Sequence, residues 1–236
     1  MELSGASALV TGAGRGIGRA ISLALARAGA VVTAVARTRA EIDSLVSDIE
    51  KAGGRAVAHA ADLRDAEAPV RAVEAAGRNG RLQILVNNAG IGSFKPVLET
   101  TDEEWDRTFA TNLTAVFRLT RAALPQLVAG GGHVFMISSL AALNPAAGMS
   151  AYGGSKAALD YFTHCLMMEV RNHGVKVTTI APGSVATSFP DRAGRSDAAW
   201  MLTAEDVAQA VLDLLGARDG AHLSRVEMRP LRPQKR

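Results

Sequence analysis

The sequence predicts an α/β protein: a doubly wound, mostly parallel seven-stranded sheet with helices on both faces, in a single domain over residues 1–236. Three observations predict it. Short β-rich runs alternate with longer helical patterns. The runs are apolar on both faces, as in a parallel sheet covered on both sides. A glycine cluster sits where the first run passes into the first helical stretch.

Taken in order, the strands are read at 6–10, 31–36, 56–60, 82–86, 133–138, 175–180 and 222–229. Helical patterns lie between them near 16–28, 39–51, 65–76, 101–127, 151–172 and 204–215. The start near 101 is well marked: Thr100 or Thr101 can cap, and Asp102, Glu103 and Glu104 sit at the positive end of the helix dipole. Residues 189–199 carry little pattern and read as part of a short substrate flap near 187–200. No repeat, long linker or low-complexity block interrupts the alternation.

The composition excludes several classes. Of 236 residues, 48% are hydrophobic and 21% charged, ordinary for a soluble globular chain. No apolar stretch reaches the roughly 18 residues of a membrane span, and Met1-Glu2-Leu3 opens no secretory signal. Cys165 is the only cysteine, so no internal disulfide can form, and a cytoplasmic setting fits best. Its position in a helical pattern reads as packing. Neither zinc-type Cys/His spacing nor a nucleic-acid motif is present. The net charge is +3, and Arg225, Arg229, Arg232, Lys235 and Arg236 crowd the C-terminus. They read as a solvated tail or as a patch for an acidic partner.

The glycine cluster is Thr11-Gly12-Ala13-Gly14-Arg15-Gly16-Ile17-Gly18. Glycines let a backbone turn tightly against a pyrophosphate, and the following helix N-terminus offers unpaired N–H groups and a positive dipole end. The second strand ends Ala36-Arg37-Thr38, where an acid would be expected to hold an NAD ribose. Arg37 offers a planar cation suited to a 2′-phosphate, and Arg15 can approach the same group. Both are also compatible with ordinary surface arginines; together they favour NADP(H) over NAD(H). Asp62 can accept from an adenine amino group, cap a helix, or do both.

Tyr152 and Lys156 are four residues apart in a helical pattern, one turn apart on one face. A phenol has a reference pKa of about 10, and a fixed ammonium beside it favours the phenolate. Such a tyrosine can give a proton to a carbonyl oxygen or take one from an alcohol. Ser139, thirteen residues upstream, can donate to the same oxygen or serve as a strand-end cap, beside the equally plausible Ser138.

With these residues the chain resembles the short-chain dehydrogenase/reductase family. The resemblance rests on Thr11–Gly18, Asp62-Leu63, Asn87-Asn88-Ala89-Gly90, Asn112, Ser139, Tyr152-x-x-x-Lys156 and Pro182-Gly183-x-x-x-Thr187, in the family's order. It implies a Rossmann-like fold and hydride transfer between a nicotinamide and a ketone, aldehyde or secondary alcohol, without a metal. By it, Tyr152 is the general acid and base, Ser139 binds the substrate oxygen, Lys156 holds the nicotinamide ribose, and Asn112 holds a relay water. Leu63 belongs with Asp62 in the cofactor site. Asn88, Ala89 and Gly90 line the central ribose region, and Pro182, Gly183, Val185 and Thr187 hold the nicotinamide. It also implies a homo-oligomer, a tetramer or dimer formed through the helices at 101–127 and 151–172.

The end of the chain departs from relatives that reduce β-ketoacyl groups on acyl carrier protein. They carry a glycine pair after the last strand, whereas this chain reads Arg229-Pro230-Leu231-Arg232-Pro233. A 3-ketoacyl reductase is therefore an alternative, and an NADP(H)-binding sensor with little turnover is another of a different class. Ser93, Phe94, Leu140, Leu143, Met149, Phe189 and Trp200 are the residues expected to shape a mainly apolar substrate pocket.

Overall fold

Seven strands join one sheet: β1 (Ser7–Thr11), β2 (Val31–Ala36), β3 (Arg55–Ala60), β4 (Leu82–Asn87), β5 (Gly132–Ile137), β6 (Val175–Pro182) and β7 (Arg225–Met228). The computed structural model describes residues 1–78, 80–187, 189 and 199–232. The strand order is β3-β2-β1-β4-β5-β6-β7, and every pairing is parallel, where the sequence argued for mostly parallel. After β3 the chain crosses to the far side of β1, so the sheet is wound in two directions. The crevice at the carboxyl ends of β1 and β4 is where such sheets bind ligands.

Helices α1 (Gly16–Arg27), α2 (Arg39–Lys51) and α7 (Ala204–Gly216) cover one face; α3 (Ala68–Gly77), α5 (Ala115–Val128) and α6 (Ser150–Val170) cover the other. Side chains alternate between the two layers with period two. Ala8, Val10, Ile84, Val86, Phe135 and Ile137 join the first core, while Leu9, Leu85, Val134 and Met136 join the second. The central strands are buried on both faces, which is why they read as largely apolar runs, while the edge strands β3 and β7 are partly exposed. Among the described residues no helix is long and apolar enough to cross a membrane.

The structure departs from the sequence-based elements in ways that bear on the site. The helix expected over 101–127 begins as predicted, at α4 (Asp102–Phe109). Thr101 Oγ1 accepts from the Glu104 N–H at 3.2 Å, and the Glu104 carboxylate accepts from the Thr101 N–H at 3.2 Å. A π-helical segment, Ala110–Thr114, then separates α4 from α5. The wider turn carries Asn112, which is fully buried. Helix α3 starts at Ala68, later than residue 65, with Pro69 in its first turn, where its missing N–H costs nothing. Cys165 is exposed on α6, so the packing role expected for it is corrected.

The basic C-terminal residues are also redistributed. Arg225 belongs to β7 and donates to the buried Asp160 of α6 at 2.7 Å and to Glu227 at 3.3 Å. Arg229 donates to Glu227 at 3.0 Å. These two arginines are paired, and Lys235 and Arg236 lie outside the described residues. The expected flap near 187–200 lies outside them too, apart from Thr187, Phe189, Ala199 and Trp200.

Candidate active site

A cleft of about 830 Å³ opens at the carboxyl ends of the central strands, from the glycine turn to Trp200 and Arg229. Its floor begins where β1 ends. Thr11 Oγ1 donates to the Val86 carbonyl at 3.2 Å and accepts from the N–H groups of Asn88 and Ala89, each at 3.0 Å. Asn88 Nδ2 donates to the Thr11 carbonyl at 2.8 Å. One hydroxyl and one amide thus tie the turn after β1 to the turn after β4.

Two glycines of this turn are required by geometry. Gly12 has φ +63°, and a Cβ there would stand 2.8 Å from Asn88 Nδ2. A Cβ on Gly18 would run into the Gly12 carbonyl. Helix α1 starts at Gly16, its N-cap Arg15 makes no side-chain capping bond, and its first turn carries no acid. Its leading N–H groups are left for an anion in the cleft, which Gly12, Gly14, Arg15, Gly16 and Ile17 line. Gly18 does not reach the cleft; its part is the close packing of turn on helix. A glycine cradle with an uncapped helix end fits the pyrophosphate of a dinucleotide.

Beyond the turn, Arg37, Thr38, Asp62 and Leu63 line one end of the cleft. The Thr38 hydroxyl makes no capping bond to α2. Asp62 is held by a neighbour that the sequence reading did not assign: Arg64 donates Nε to Oδ1 at 3.0 Å and Nη2 to Oδ2 at 2.6 Å. That bond holds the Asp62 carboxyl below the usual carboxylate range, and the charge of Arg37 works in the same direction. Asp62 does not cap α3, whose N-cap is Glu67. Glu41, on the first turn of α2, covers Gly14 and also lines the cleft.

The opposite end gathers Ser139, Tyr152 and Lys156. Ser139 follows β5 and accepts from the Ala141 N–H at 3.1 Å, capping a 3₁₀ turn at Leu140–Ala142. Its proton stays available to a substrate oxygen. Ser138 is buried and its Oγ has no partner among the described residues, so the capping role falls to Ser139. Gly153 lets α6 pass this turn closely, since a Cβ there would stand 3.0 Å from the Ala141 carbonyl.

Lys156 is 4% exposed; its Nζ donates to the Ile137 carbonyl at 2.8 Å and lies 6.0 Å from the Tyr152 ring centroid. Burial pushes the lysine down to about 8, against the opposing pull of Asp160 one turn further along α6. Asn112 stands behind the cleft wall. Its Oδ1 accepts from the Ile91 N–H at 2.9 Å, and its Nδ2 donates to the Ile91 carbonyl and to Ser155 Oγ, each at 2.9 Å. Gly90 lies between Asn112 and Lys156: a Cβ there would come 3.2 Å from Asn112 Oδ1 and 3.6 Å from Lys156 Nζ.

Asn88, Ala89 and Gly90 line the middle of the cleft, and Pro182, Gly183, Val185 and Thr187 line the wall after β6. The Gly183 N–H donates to the Met228 carbonyl at 2.8 Å, and Val185 pairs with Leu202, which fixes that wall to β7 and to the start of α7. Of the expected pocket residues, Phe94, Leu140, Met149, Phe189 and Trp200 line the cleft. Ser93 and Leu143 do not; Leu143 is exposed. Asn144, Arg229 and Pro230 line it without having been anticipated. Arg64 had a local signal, a cation two residues after Asp62, whereas Asn144 and Arg229 are brought in by tertiary packing.

The model of the short chain dehydrogenase family matches residues 6–197. An L-xylulose reductase of Mesocricetus auratus is 39% identical over 191 residues, covering 80% of this chain and 75% of the relative. A metagenomic short-chain oxidoreductase solved in complex with NADP superposes with a TM-score of 0.87 at 36% identity, over 99% of this chain and 100% of the other. A 7α-hydroxysteroid dehydrogenase solved with NADH and 7-oxo glycochenodeoxycholic acid gives a TM-score of 0.89 at 27% identity, over 99% and 96%.

Proposed function

The chain belongs to the short-chain dehydrogenase family, and we propose that it is an NADP(H)-dependent oxidoreductase interconverting a ketone or aldehyde with its alcohol, with Tyr152 as general acid and base. The observation that carries this reading is the two-ended cleft. Ser139, Tyr152 and Lys156 converge at one end, and an uncapped helix terminus beside Arg15 and Arg37 lies at the other.

The dinucleotide, when bound, supplies or accepts the hydride. The protein's share is positioning and proton transfer. As a carbonyl gains charge on its oxygen, Ser139 and Tyr152 donate to that oxygen, and Tyr152 yields its proton. The Lys156 ammonium favours the phenolate that remains. The Asn112 amide, committed to Ile91 and Ser155, holds the backbone beside Gly90 and Lys156. A relay water at Asn112 would use its main-chain carbonyl or the second Oδ1 lone pair. Pro182, Gly183, Val185 and Thr187 are assigned to the nicotinamide end, and Asn88, Ala89 and Gly90 to the ribose between.

The cofactor assignment rests on Arg37, supported by Arg15 and Thr38 and by the absence of a carboxylate at Ala36. A charge-assisted arginine–phosphate bond contributes about 1.5–3 kcal/mol, so Arg37→Asp should lower kcat/KM for NADPH by about 10–100-fold. It should raise the relative use of NADH. The test is oxidation of NADPH and NADH by wild type and variant across small diketones, aldehydes and a β-ketoacyl thioester. Turnover with NADH alone would overturn the cofactor assignment. Tight NADPH binding with no turnover would favour the sensor, and a clear preference for the thioester would favour the ketoacyl reductase.

Homo-oligomer formation through α4–α5 and α6 belongs to the same reading. Trp105, Phe117, Tyr161 and Met168 on these helices are 42%, 42%, 75% and 54% exposed. Phe117 meets Phe162 edge-on at 6.1 Å, so the exposed surfaces of α5 and α6 adjoin. Light scattering should give a multiple of 24.6 kDa; a monomer would overturn the assembly.

A further inference from the structure

We infer that the substrate end of the cleft selects a carbonyl flanked by an aromatic or other flat apolar group and discriminates against polyhydroxylated carbonyls. The inference deepens the reductase reading and rests on it. Tyr152 is the apex of a triangle of rings. Its centroid lies 5.2 Å from Phe94 and 5.8 Å from Phe189, and those two rings meet at 6.4 Å. All three distances fall in the range where aromatic pairs attract. The two phenyl rings lie over Gly92, where a Cβ would collide with both. The bare backbone at Gly92 is what lets them stand beside the phenol.

Among the described residues, the substrate end is lined mainly by apolar side chains, with Ser139, Tyr152, Asn144 and Arg229 as polar ones. Ser139 and Tyr152 are the donors assigned to the reacting oxygen. Asn144 has its Nδ2 on the Leu140 carbonyl at 2.9 Å. Leu140 and Met149 continue the wall as apolar surface. A flat ring attached to the carbonyl gains ring-on-ring and apolar contact here. A ketose would bring several hydroxyls out of water against phenyl edges, and each hydroxyl left unpaired costs about tenfold or more in affinity. A pocket built this way rejects by stranding polar groups.

The test uses the full chain with NADPH and three substrates: a vicinal phenylpropanedione, a vicinal pentanedione and a ketopentose. The phenyl diketone should exceed the alkyl diketone in kcat/KM by about tenfold and the ketopentose by about 100-fold or more. Phe94→Ala and Phe189→Leu should each shrink the phenyl-to-alkyl ratio by about fivefold or more. A ratio that neither variant moves, or a ketopentose reduced as well as the phenyl diketone, would overturn the substrate class and leave the reductase reading standing. Absence of turnover on all three, with NADPH still bound, would overturn the reductase reading and the inference with it.

Discussion

Tyr152→Phe should lower kcat/KM for carbonyl reduction by about 10³-fold or more while changing the Kd for NADPH by less than about threefold. The substitution removes one oxygen and nothing else. The ring contacts to Phe94 at 5.2 Å and Phe189 at 5.8 Å remain available, so the walls of the cleft keep their support. What is lost is a proton donor at the reacting oxygen and one of the two hydrogen bonds stabilising charge on it. General acid catalysis alone contributes about 10²–10⁴-fold, and an oxyanion donor about 10²–10³-fold. The two effects share one atom and do not multiply fully. Steady-state kinetics beside a fluorescence titration of NADPH separates turnover from binding. A variant within about tenfold of wild type would remove Tyr152 from the role of acid.

The features legible in the sequence were those with short-range signatures. A sheet covered on both faces uses mostly apolar residues along its central strands, so β1, β4 and β5 read as strands despite polar residues such as Ser7, Gln83 and His133. Tyr152 and Lys156 meet because four residues make one helical turn. The glycine turn is written in consecutive residues because only glycine tolerates the φ of Gly12 and the contact at Gly18. The features missed depend on three-dimensional partners. A π segment adds one residue to a turn without changing hydrophobic composition, so 101–127 read as one helix. Asp62 read as an acceptor for an adenine amino group or as a helix cap, because its own identity does not reveal which donor takes it, although Arg64 stands only two residues on. Arg225 looked like part of a charged tail because Asp160, its buried partner, lies 65 positions away.

Lys156→Met should separate function from stability, lowering kcat/KM by about 10²-fold or more while stabilising the fold by about 2 kcal/mol at pH 7. Function is lost because the ammonium that favours the Tyr152 phenolate and the group assigned to the ribose vanish together. Stability is gained because burial makes the native lysine a weaker base. Its pKa falls from 10.5 to about 8, so below pH 8 the folded protein carries a buried charge that the unfolded chain holds more comfortably in water. A gap of that size corresponds to about 3 kcal/mol, and leaving the Ile137 carbonyl without its partner takes back about 1 kcal/mol. The sign follows from linkage. The unfolded state binds the proton more tightly, so this lysine's penalty is full below pH 8 and fades as pH rises toward 10.5. Chemical unfolding at pH 7 and pH 9 should therefore show wild type approaching the variant at the higher pH. Reductive kcat/KM of wild type should fall above about pH 8, as Lys156 loses the proton that supports Tyr152. A variant less stable than wild type at pH 7 would mean that the buried ammonium is well solvated by its surroundings. Where the variant is the more stable, the two apolar cores on either side of the sheet offset a buried charge kept at the site proposed for proton transfer.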